Sequence, residues 1–396
     1  MSYLLSFAST MKSIGGVLLA VAILLVMVTV HEFGHYLAGK ALGFQINEFA
    51  VGFGPAIFKK RSKKTGELFA LRVIPLGGYC AFEGEDEELV EERKDAAFEE
   101  FDSPKEEDEE EIVKPTGARF NDQKPWKRII VLVAGATMNY LLALVLLFIM
   151  FGAYGCIHSY INIYQGVSVS QPTMDEERIG YKDIVLSVDG KGIYMETDYI
   201  SALSGKKRGE SIQIELLRKD ENGAWQRKTF SIEAQANGEY ENMTDSATTL
   251  AVLGLDGSQY ALSGAVVKQG FWETVKSVFV YSVKIGGTVL RSLGELVTGK
   301  IPISSMGGPV TTIGVAAQAA SNGVLPFLNI ASFIGVNLAV FNLLPVPALD
   351  GSKVVFCLIE WIRKKPINRK VETIIHFIGI LVLFGFAILV DILQFI

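Results

Sequence analysis

Two histidines with a glutamate between them form the segment of this sequence best suited to metal chemistry. His31 and His35 are one helical turn apart, so both imidazoles can lie on one face and bind a single Zn²⁺. Zinc acidifies a bound water to a pKa of about 7, and Glu32 is placed to accept its proton as the water attacks a peptide carbonyl. The H-E-x-x-H spacing therefore predicts a hydrolytic zinc site with Glu32 as general base.

A cluster of polar side chains at the end of an apolar helix is the alternative interpretation, because a short motif can arise by chance. The chain has only four histidines, however, and two of them have this spacing within an apolar segment. Since polar groups next to lipid are costly, their presence there favours a functional site over side chains that snorkel to the interface.

Composition indicates a membrane protein with soluble segments. The 396 residues are 49% hydrophobic and the mean hydropathy is +0.32, yet 20% of them are charged. The net charge of -6 comes mainly from an acidic run at residues 83–111, which disfavours a nucleic-acid partner. Cys80, Cys156 and Cys357 are widely spaced, so neither a disulfide framework nor a cysteine zinc site is indicated.

Four apolar segments are long enough to span a bilayer: residues 14–38, 129–151, 324–344 and 374–393. The first could instead be a signal peptide, but cleavage at its end would remove both histidines, so an uncleaved anchor is expected. Asn139, a polar residue within the second span, is predicted to face the bundle interior.

The connections between these spans differ in character. Residues 47–55 and 68–74 flank a basic turn, which predicts a β-hairpin whose free edge could receive an extended peptide; an ordinary surface hairpin is the alternative. The acidic run is expected to be solvated, or to form a short helix around residues 89–101. Alternating runs at 167–169, 183–190, 211–217 and 228–232 predict a β-rich domain. Residues 271–296 favour an amphipathic surface helix, with a core helix as the alternative.

A third ligand is required, because catalytic zinc usually has three protein ligands. If the first span runs from outside to inside, its histidines lie near the inner face, where the third span also ends, close to Asp350. His158 and Asp391 fall on the opposite face, across about 30 Å of hydrocarbon. Basic residues after Asp350 support this orientation. Asp350 is the predicted ligand, and His376 remains its rival.

Two motifs together resemble the site-2 protease family of intramembrane zinc metalloproteases, and more narrowly its bacterial regulator-of-sigma-E protease group. They are His31-Glu32-Phe33-Gly34-His35 and Asn342-x-x-Pro345-x-Pro347-x-Leu349-Asp350-Gly351. The Gly52-Phe53-Gly54 and Gly77-Gly78-Tyr79 segments extend the resemblance. Ala136 and Ser352 depart from it, since the family commonly has Pro and Gly at these positions.

The resemblance implies an α-helical polytopic membrane protein with four transmembrane helices, a membrane-associated β-hairpin region and an inserted β-rich PDZ-like domain. It implies that His31, His35 and Asp350 bind zinc and that Glu32 is the catalytic base. Asn342 and Pro345 would lie beside the site. An extended substrate would bind along Leu68, Phe69, Ala70, Leu71, Arg72, Val73 and Ile74.

Seven segments are expected on this basis. They are the first transmembrane helix (1–44), the cytoplasmic-side hairpin region with its acidic insert (45–123), the second transmembrane helix (124–158), the extracytoplasmic PDZ-like domain (159–262), the amphipathic helix and Gly-rich connector (263–322), the third transmembrane helix with the L-D-G motif (323–351), and the basic loop with the fourth transmembrane helix (352–396).

The implied activity is that of an endopeptidase with one Zn²⁺ per chain in the bacterial inner, or cytoplasmic, membrane. Its partners would be the lipid bilayer and single-span membrane proteins, such as anti-sigma factors, or remnant signal peptides. An upstream site-1 protease would first shorten the substrate in regulated intramembrane proteolysis. The active site would face the cytoplasm, and the PDZ-like domain would filter substrates by size or dock new C-termini.

Two other classes of function remain as alternatives. A membrane-anchored scaffold with structural zinc, or with none, would have no use for Glu32 beside two histidines. A zinc transporter would need more ionisable residues within the spans than this sequence has.

Overall fold

The computed structural model describes residues 2–85, 113–240 and 245–395. Most of the acidic run 83–111, including the short helix considered for residues 89–101, lies outside these ranges. The chain divides into two compact units. We call Met1–Leu146 with Met306–Ile396 the helical unit, and Leu147–Ser305 the β-rich unit.

The elements follow one another along the chain with short connections. The first are α1 (Ser2–Leu42), β1 (Ile46–Arg61), β2 (Leu68–Phe82), a 3-10 turn (Phe120–Asp122), α2 (Pro125–Tyr154), β3 (Cys156–Ile163), β4 (Ile184–Val188), β5 (Lys191–Gly192) and α3 (Glu196–Leu203). Then come β6 (Ser211–Lys219), β7 (Trp225–Glu233), α4 (Ser246–Val252), β8 (Tyr260–Val267), α5 (Phe271–Val297), a 3-10 turn (Ile303–Ser305), α6 (Pro309–Asn322), α7 (Val324–Asn342), α8 (Asp350–Arg363) and α9 (Arg369–Phe395).

Four of the described helices, α1, α2, α7 and α9, contain segments long and apolar enough to cross a membrane. These segments overlap the four spans predicted from the sequence. Pro326 lies in the first turn of α7, where the missing N–H is not needed. Helix α7 ends at Asn342, two residues before the predicted end of its span, because Pro345 and Pro347 disfavour helical backbone just beyond it.

Strands β1 and β2 form the predicted hairpin, but each strand changes partner along its length. Residues 48–51 pair with residues 78–81 on one side and with residues 68–71 on the other. Residues 68–71 also pair with residues 58–61. The sheet therefore has interior segments at 48–51 and 68–71, whereas residues 78–82 form an edge within the part of the chain that the structure describes.

The β-rich unit contains an antiparallel sheet in the order β7-β6-β4-β3-β8, with β5 paired to β4. Alternation along β6 buries Ile212, Ile214 and Leu216 in its core. Arg218 continues this buried face, and its charge is balanced by Asp183, whose carboxylate accepts from Nε at 2.9 Å and from Nη2 at 2.8 Å.

Two strand boundaries in the β-rich unit differ from the sequence expectations, and one expected strand is absent from the described residues. Strand β3 begins at Cys156 rather than at residue 159, directly after Gly155, whose φ of 113° ends α2. Strand β8 continues to Val267, beyond the expected end at residue 262, because it pairs with β3 along its whole length. Residues 167–169 are not in a strand, although Val169 packs against the core.

The stretch after α5 also differs from expectation. Helix α5 matches the amphipathic helix predicted for residues 271–296. The Gly-rich connector, in contrast, contains a regular helix, α6. Pro309 occupies its first turn, and the Asp391 carboxylate accepts hydrogen bonds from the N–H groups of Val310 at 3.0 Å and Thr311 at 3.1 Å. The cap comes from a distant helix, so local sequence did not reveal it.

Candidate metal centre

The two histidines of the H-E-x-x-H motif contact each other on the buried face of α1. Their Nε2 atoms are 3.1 Å apart, and their rings meet edge to face with centroids separated by 4.7 Å. Both side chains are buried. The helical period places them on one face, as the sequence predicts.

Asp350 completes a triangle with these nitrogens. Its Oδ2 lies 3.0 Å from His31 Nε2 and 3.4 Å from His35 Nε2. Helix α7 ends at Asn342, and α8 begins at Asp350 after a proline-containing turn, so the first side chain of α8 points back towards α1. Among the described residues, these three form the group of histidine, cysteine and acidic side chains able to hold a metal ion.

The triangle fits a tetrahedral zinc ion. Bonds of about 2.1 Å to zinc would place neighbouring ligand atoms roughly 3.4 Å apart, close to the three separations observed. Asp350 Oδ2 is buried and makes no hydrogen bond of acceptable geometry with the described residues. A Cβ at Gly135 of α2 would lie 2.7 Å from His35 Cε1 and 2.8 Å from His31 Cε1. Glycine thus keeps the space between the ligands open.

Contacts behind the imidazoles fix their orientation. His35 Nδ1 donates to the Val131 carbonyl at 2.8 Å, which leaves the Nε2 lone pair for a metal. His31 Nδ1 lies 3.4 Å from the side-chain nitrogens of Asn139 and Asn342. The oxygen of Asn139 is buried and has no hydrogen bond to the residues that the structure describes, so rotating this amide by 180° would give His31 Nδ1–H an acceptor.

Glu32 is half-buried beside this group and interacts electrostatically with His31, His35 and Asp350. The hairpin edge lies over it, because a Cβ at Gly78 would be only 3.4 Å from Glu32 Cγ. A carboxylate between a group of candidate metal ligands and a strand edge can exchange protons with a water or a peptide bound beside it.

Glu67 joins the hairpin to α1, and sequence reasoning missed it. Its buried carboxylate accepts from the Tyr36 hydroxyl at 3.0 Å and from Thr65 Oγ1 at 2.9 Å, and it also pairs with Lys40. Tyr36 and Lys40 are one turn apart just after His35, which is the only sequence signal for this anchor.

The seven residues expected to receive substrate, 68–74, differ in their pairing and exposure. Residues 68–71 have paired strands on both sides, so they do not provide the predicted free edge. The Arg72 guanidinium is used within the sheet, where it donates to Gly54 O and Glu48 at 2.7 Å and to the Tyr79 hydroxyl at 2.8 Å. Val73 and Ile74 are exposed. Hairpin register depends on pairing between distant residues, which local alternation cannot specify.

The other sequence candidates lie at different distances from the triangle. Asn342 is beside His31, as described above, whereas Pro345 is exposed in the turn after α7. His376 Nδ1 accepts a hydrogen bond from the backbone of Ala348 at 3.2 Å and is outside the metal-binding group. His158 belongs to the β-rich unit, where its Nδ1 donates to Ile193 O at 2.9 Å.

Comparisons with known proteins assign the chain to a family. The family model described as Peptidase family M50 matches residues 19–386. A putative zinc metalloprotease of Clostridium perfringens is 30% identical over 92% of this chain and 94% of its own length. The regulator of sigma-W protease RasP of Bacillus subtilis is 26% identical over 89% and 92%, respectively. The resemblance stated from the motifs is confirmed, and the chain belongs to peptidase family M50, the site-2 protease family.

Proposed function

We propose that this protein hydrolyses a peptide bond of a membrane-spanning substrate within or beside the bilayer, using zinc held by His31, His35 and Asp350. As a member of its family it is an integral membrane zinc metallopeptidase. The observation that carries the ligand assignment is the triangle of two Nε2 atoms and Oδ2, with sides of 3.0 to 3.4 Å.

Glu32 acts as general base and then as general acid in this proposal. Zinc, when bound, supplies a Lewis acid that polarises the scissile carbonyl and makes water a better nucleophile at neutral pH. Glu32 takes the proton of the attacking water and returns it to the leaving amide nitrogen. Val131 and Asn139 hold the imidazoles so that their Nε2 atoms face the centre.

The substrate must be extended where it is cut, because an intact helix hides its carbonyls in hydrogen bonds. We assign the substrate strand to the edge at residues 78–82 instead of residues 68–71, whose backbone is already paired on both sides. A peptide added to this edge would pass beside Glu32, which lies close to Gly78. Exposed Val73 and Ile74 add apolar side-chain surface on the same hairpin.

The arrangement in the membrane follows from the same reasoning. We assign α1, α2, α7 and α9 as four transmembrane helices, with the metal centre towards the cytoplasm and the β-rich unit, as a PDZ-like domain, outside. Basic residues between Asp350 and α9 support this orientation. The domain bounds become those of the two units, with strands from Cys156 to Val267 between α2 and α5.

Single-span proteins of the anti-sigma factor type and remnant signal peptides are the proposed substrates, after a first cut by another protease. The name of the Bacillus subtilis relative, a regulator of sigma-W protease, supports the first class. The β-rich unit would then act as a size filter that admits shortened substrates and excludes uncut ones.

A reconstituted system tests this function. Full-length protein in liposomes receives a single-span substrate with a shortened extracytoplasmic end, and products are mapped by mass spectrometry. We expect a cut within or beside the span by the wild type, and none by Glu32→Gln, which should retain zinc by elemental analysis. Asp350→Ala should lose zinc. A fully active Glu32→Gln protein, or cuts confined to soluble loops, would contradict the proposal.

A further inference from the structure

The turn at residues 343–349 delivers Asp350 to the metal centre, and part of its backbone is conformationally disfavoured. Ala348, two positions before Asp350, has a φ of +82°. A residue with a Cβ rarely adopts this left-handed conformation, and it persists only where the surroundings hold it. The backbone N–H of Ala348 is bonded to His376 Nδ1 at 3.2 Å, so this restraint comes from α9.

A second contact from α9 reaches the preceding residue. Gly379 is three positions after His376, on the same face of the helix. A Cβ at Gly379 would lie 2.6 Å from the Pro347 carbonyl carbon and 2.7 Å from its oxygen. Glycine is needed for this approach, so the helix touches both Pro347 and Ala348.

We infer that His376 is a positioning residue of the metal centre, which acts with Gly379 by fixing the turn so that the Asp350 carboxylate faces His31 and His35. This inference rests on the proposed ligand set. His376 is outside the group formed by His31, His35 and Asp350, whose ligand atoms all lie within 4.8 Å of one another. It accepts from Ala348, while Asp350 Oδ2 lies within 3.4 Å of both Nε2 atoms. Without the Nδ1 acceptor of His376, the backbone of Ala348 would relax from its left-handed conformation, and the Asp350 carboxylate would no longer face His31 and His35.

Zinc affinity of the purified full-length protein, measured by competition with a chelator, tests the inference without relying on activity. We expect His376→Leu to bind zinc about 10- to 100-fold more weakly, and at saturating zinc to lower kcat with little change in KM. His376→Asn should stay close to wild type, because its Oδ1 is attached at the same position as Nδ1 and can accept.

Ala348→Gly provides a rescue. Glycine adopts the left-handed conformation without a steric penalty, so adding it to His376→Leu should recover much of the zinc affinity. Complete loss of zinc in His376→Leu without any rescue would identify His376 as a ligand and overturn the positioning role.

A pair of glycine variants on α9 keeps the inference testable if His376→Leu does not fold. Gly379→Ala should weaken zinc binding by pressing on Pro347, whereas Gly385→Ala, at an open position of the same helix, should not. Wild-type zinc affinity in Gly379→Ala and in a folded His376→Leu would overturn the inference. Unchanged zinc affinity in Asp350→Ala would instead overturn the ligand set itself, which separates the two failures.

Discussion

Asn139 and His31 lie on neighbouring helices, with the side-chain nitrogen of Asn139 3.4 Å from His31 Nδ1. Asn139 is almost completely buried within an apolar helix, and its amide oxygen has no hydrogen bond to the described residues. A buried side-chain amide within an apolar helix costs free energy unless it has a hydrogen-bond partner. Its position behind His31, a proposed zinc ligand, provides that partner, because the second nitrogen of a ligating imidazole normally needs an acceptor.

Replacing Asn139 should therefore weaken metal binding. We expect Asn139→Leu to reduce zinc affinity by about 10- to 100-fold, because His31 loses an orienting partner. Asn139→Asp retains an acceptor and should bind zinc more tightly than the leucine variant. Chelator competition on purified protein measures both. Equal affinities in wild type and Asn139→Leu would show that Asn342, which lies at the same distance from His31, is sufficient.

A methyl group at Gly135 should interfere with the metal directly. The Cβ of Gly135→Ala would meet both imidazoles, including His35 Nε2, in the space between the ligands. We expect zinc occupancy and proteolysis to fall at least about tenfold, because the histidines cannot keep their positions. Gly152→Ala is the matched control, since this position of α2 has open space around it. Elemental analysis of the two variants measures the difference, and equal zinc content would exclude the proposed location.

Local patterns in the sequence predicted some of this centre but not all of it. The helical period brings His31 and His35 together, and any helix with this spacing does so. The prediction of Asp350 required the direction of the spans and the charge of the following loop, and both can be inferred from the sequence. The partners of His31 Nδ1 are Asn139 and Asn342, and the acceptor of the Ala348 N–H is His376. These residues lie on other helices, and no spacing rule in the sequence connects them with their partners.

The hairpin shows the same limit. Its two strands were predicted from alternation, but their double pairing depends on bends that place residues 48–51 between two segments of β2. A shift in the pairing partner changes which backbone groups are free, so the substrate edge proposed above is residues 78–82 instead of the predicted residues 68–74. Asp391 of α9, whose carboxylate caps the start of α6, is a similar case, because a cap supplied by another helix has no local signature.

The Glu67 anchor should affect substrate binding more than metal binding. Glu67→Ala removes the acceptor of Tyr36 and the partner of Lys40, so the hairpin loses these polar contacts with α1 and keeps its aromatic ones. We expect KM for a single-span substrate to rise about 3- to 10-fold at unchanged zinc content, because at least one buried hydrogen bond is lost. Lys60→Gln, an exposed change on the same hairpin, is the control. Loss of zinc in Glu67→Ala would contradict the separation of the two roles.

The β-rich unit should lose stability in mild acid because of His158. Burial lowers the pKa of His158 below its usual value of 6.5. In the folded state its Nδ1–H donates to Ile193 O, and its Nε2 lies 3.4 Å from the Gln269 amide nitrogen, where it acts as an acceptor. Protonation would also remove this acceptor, so the contact with Gln269 is compatible with the neutral ring that burial favours.

The sign of the effect follows from proton linkage. Below pH 6.5 the unfolded state binds a proton that the folded state does not yet bind, so the free energy of unfolding falls as the pH decreases. The slope is at most about 1.4 kcal/mol per pH unit, and it disappears above pH 6.5 and again below the folded pKa. Hydrogen exchange of the β4 and β6 amides in the full-length protein, corrected for intrinsic rates, should show this loss. His158→Gln should flatten the dependence, and an equally steep slope in that variant would assign the effect to another group.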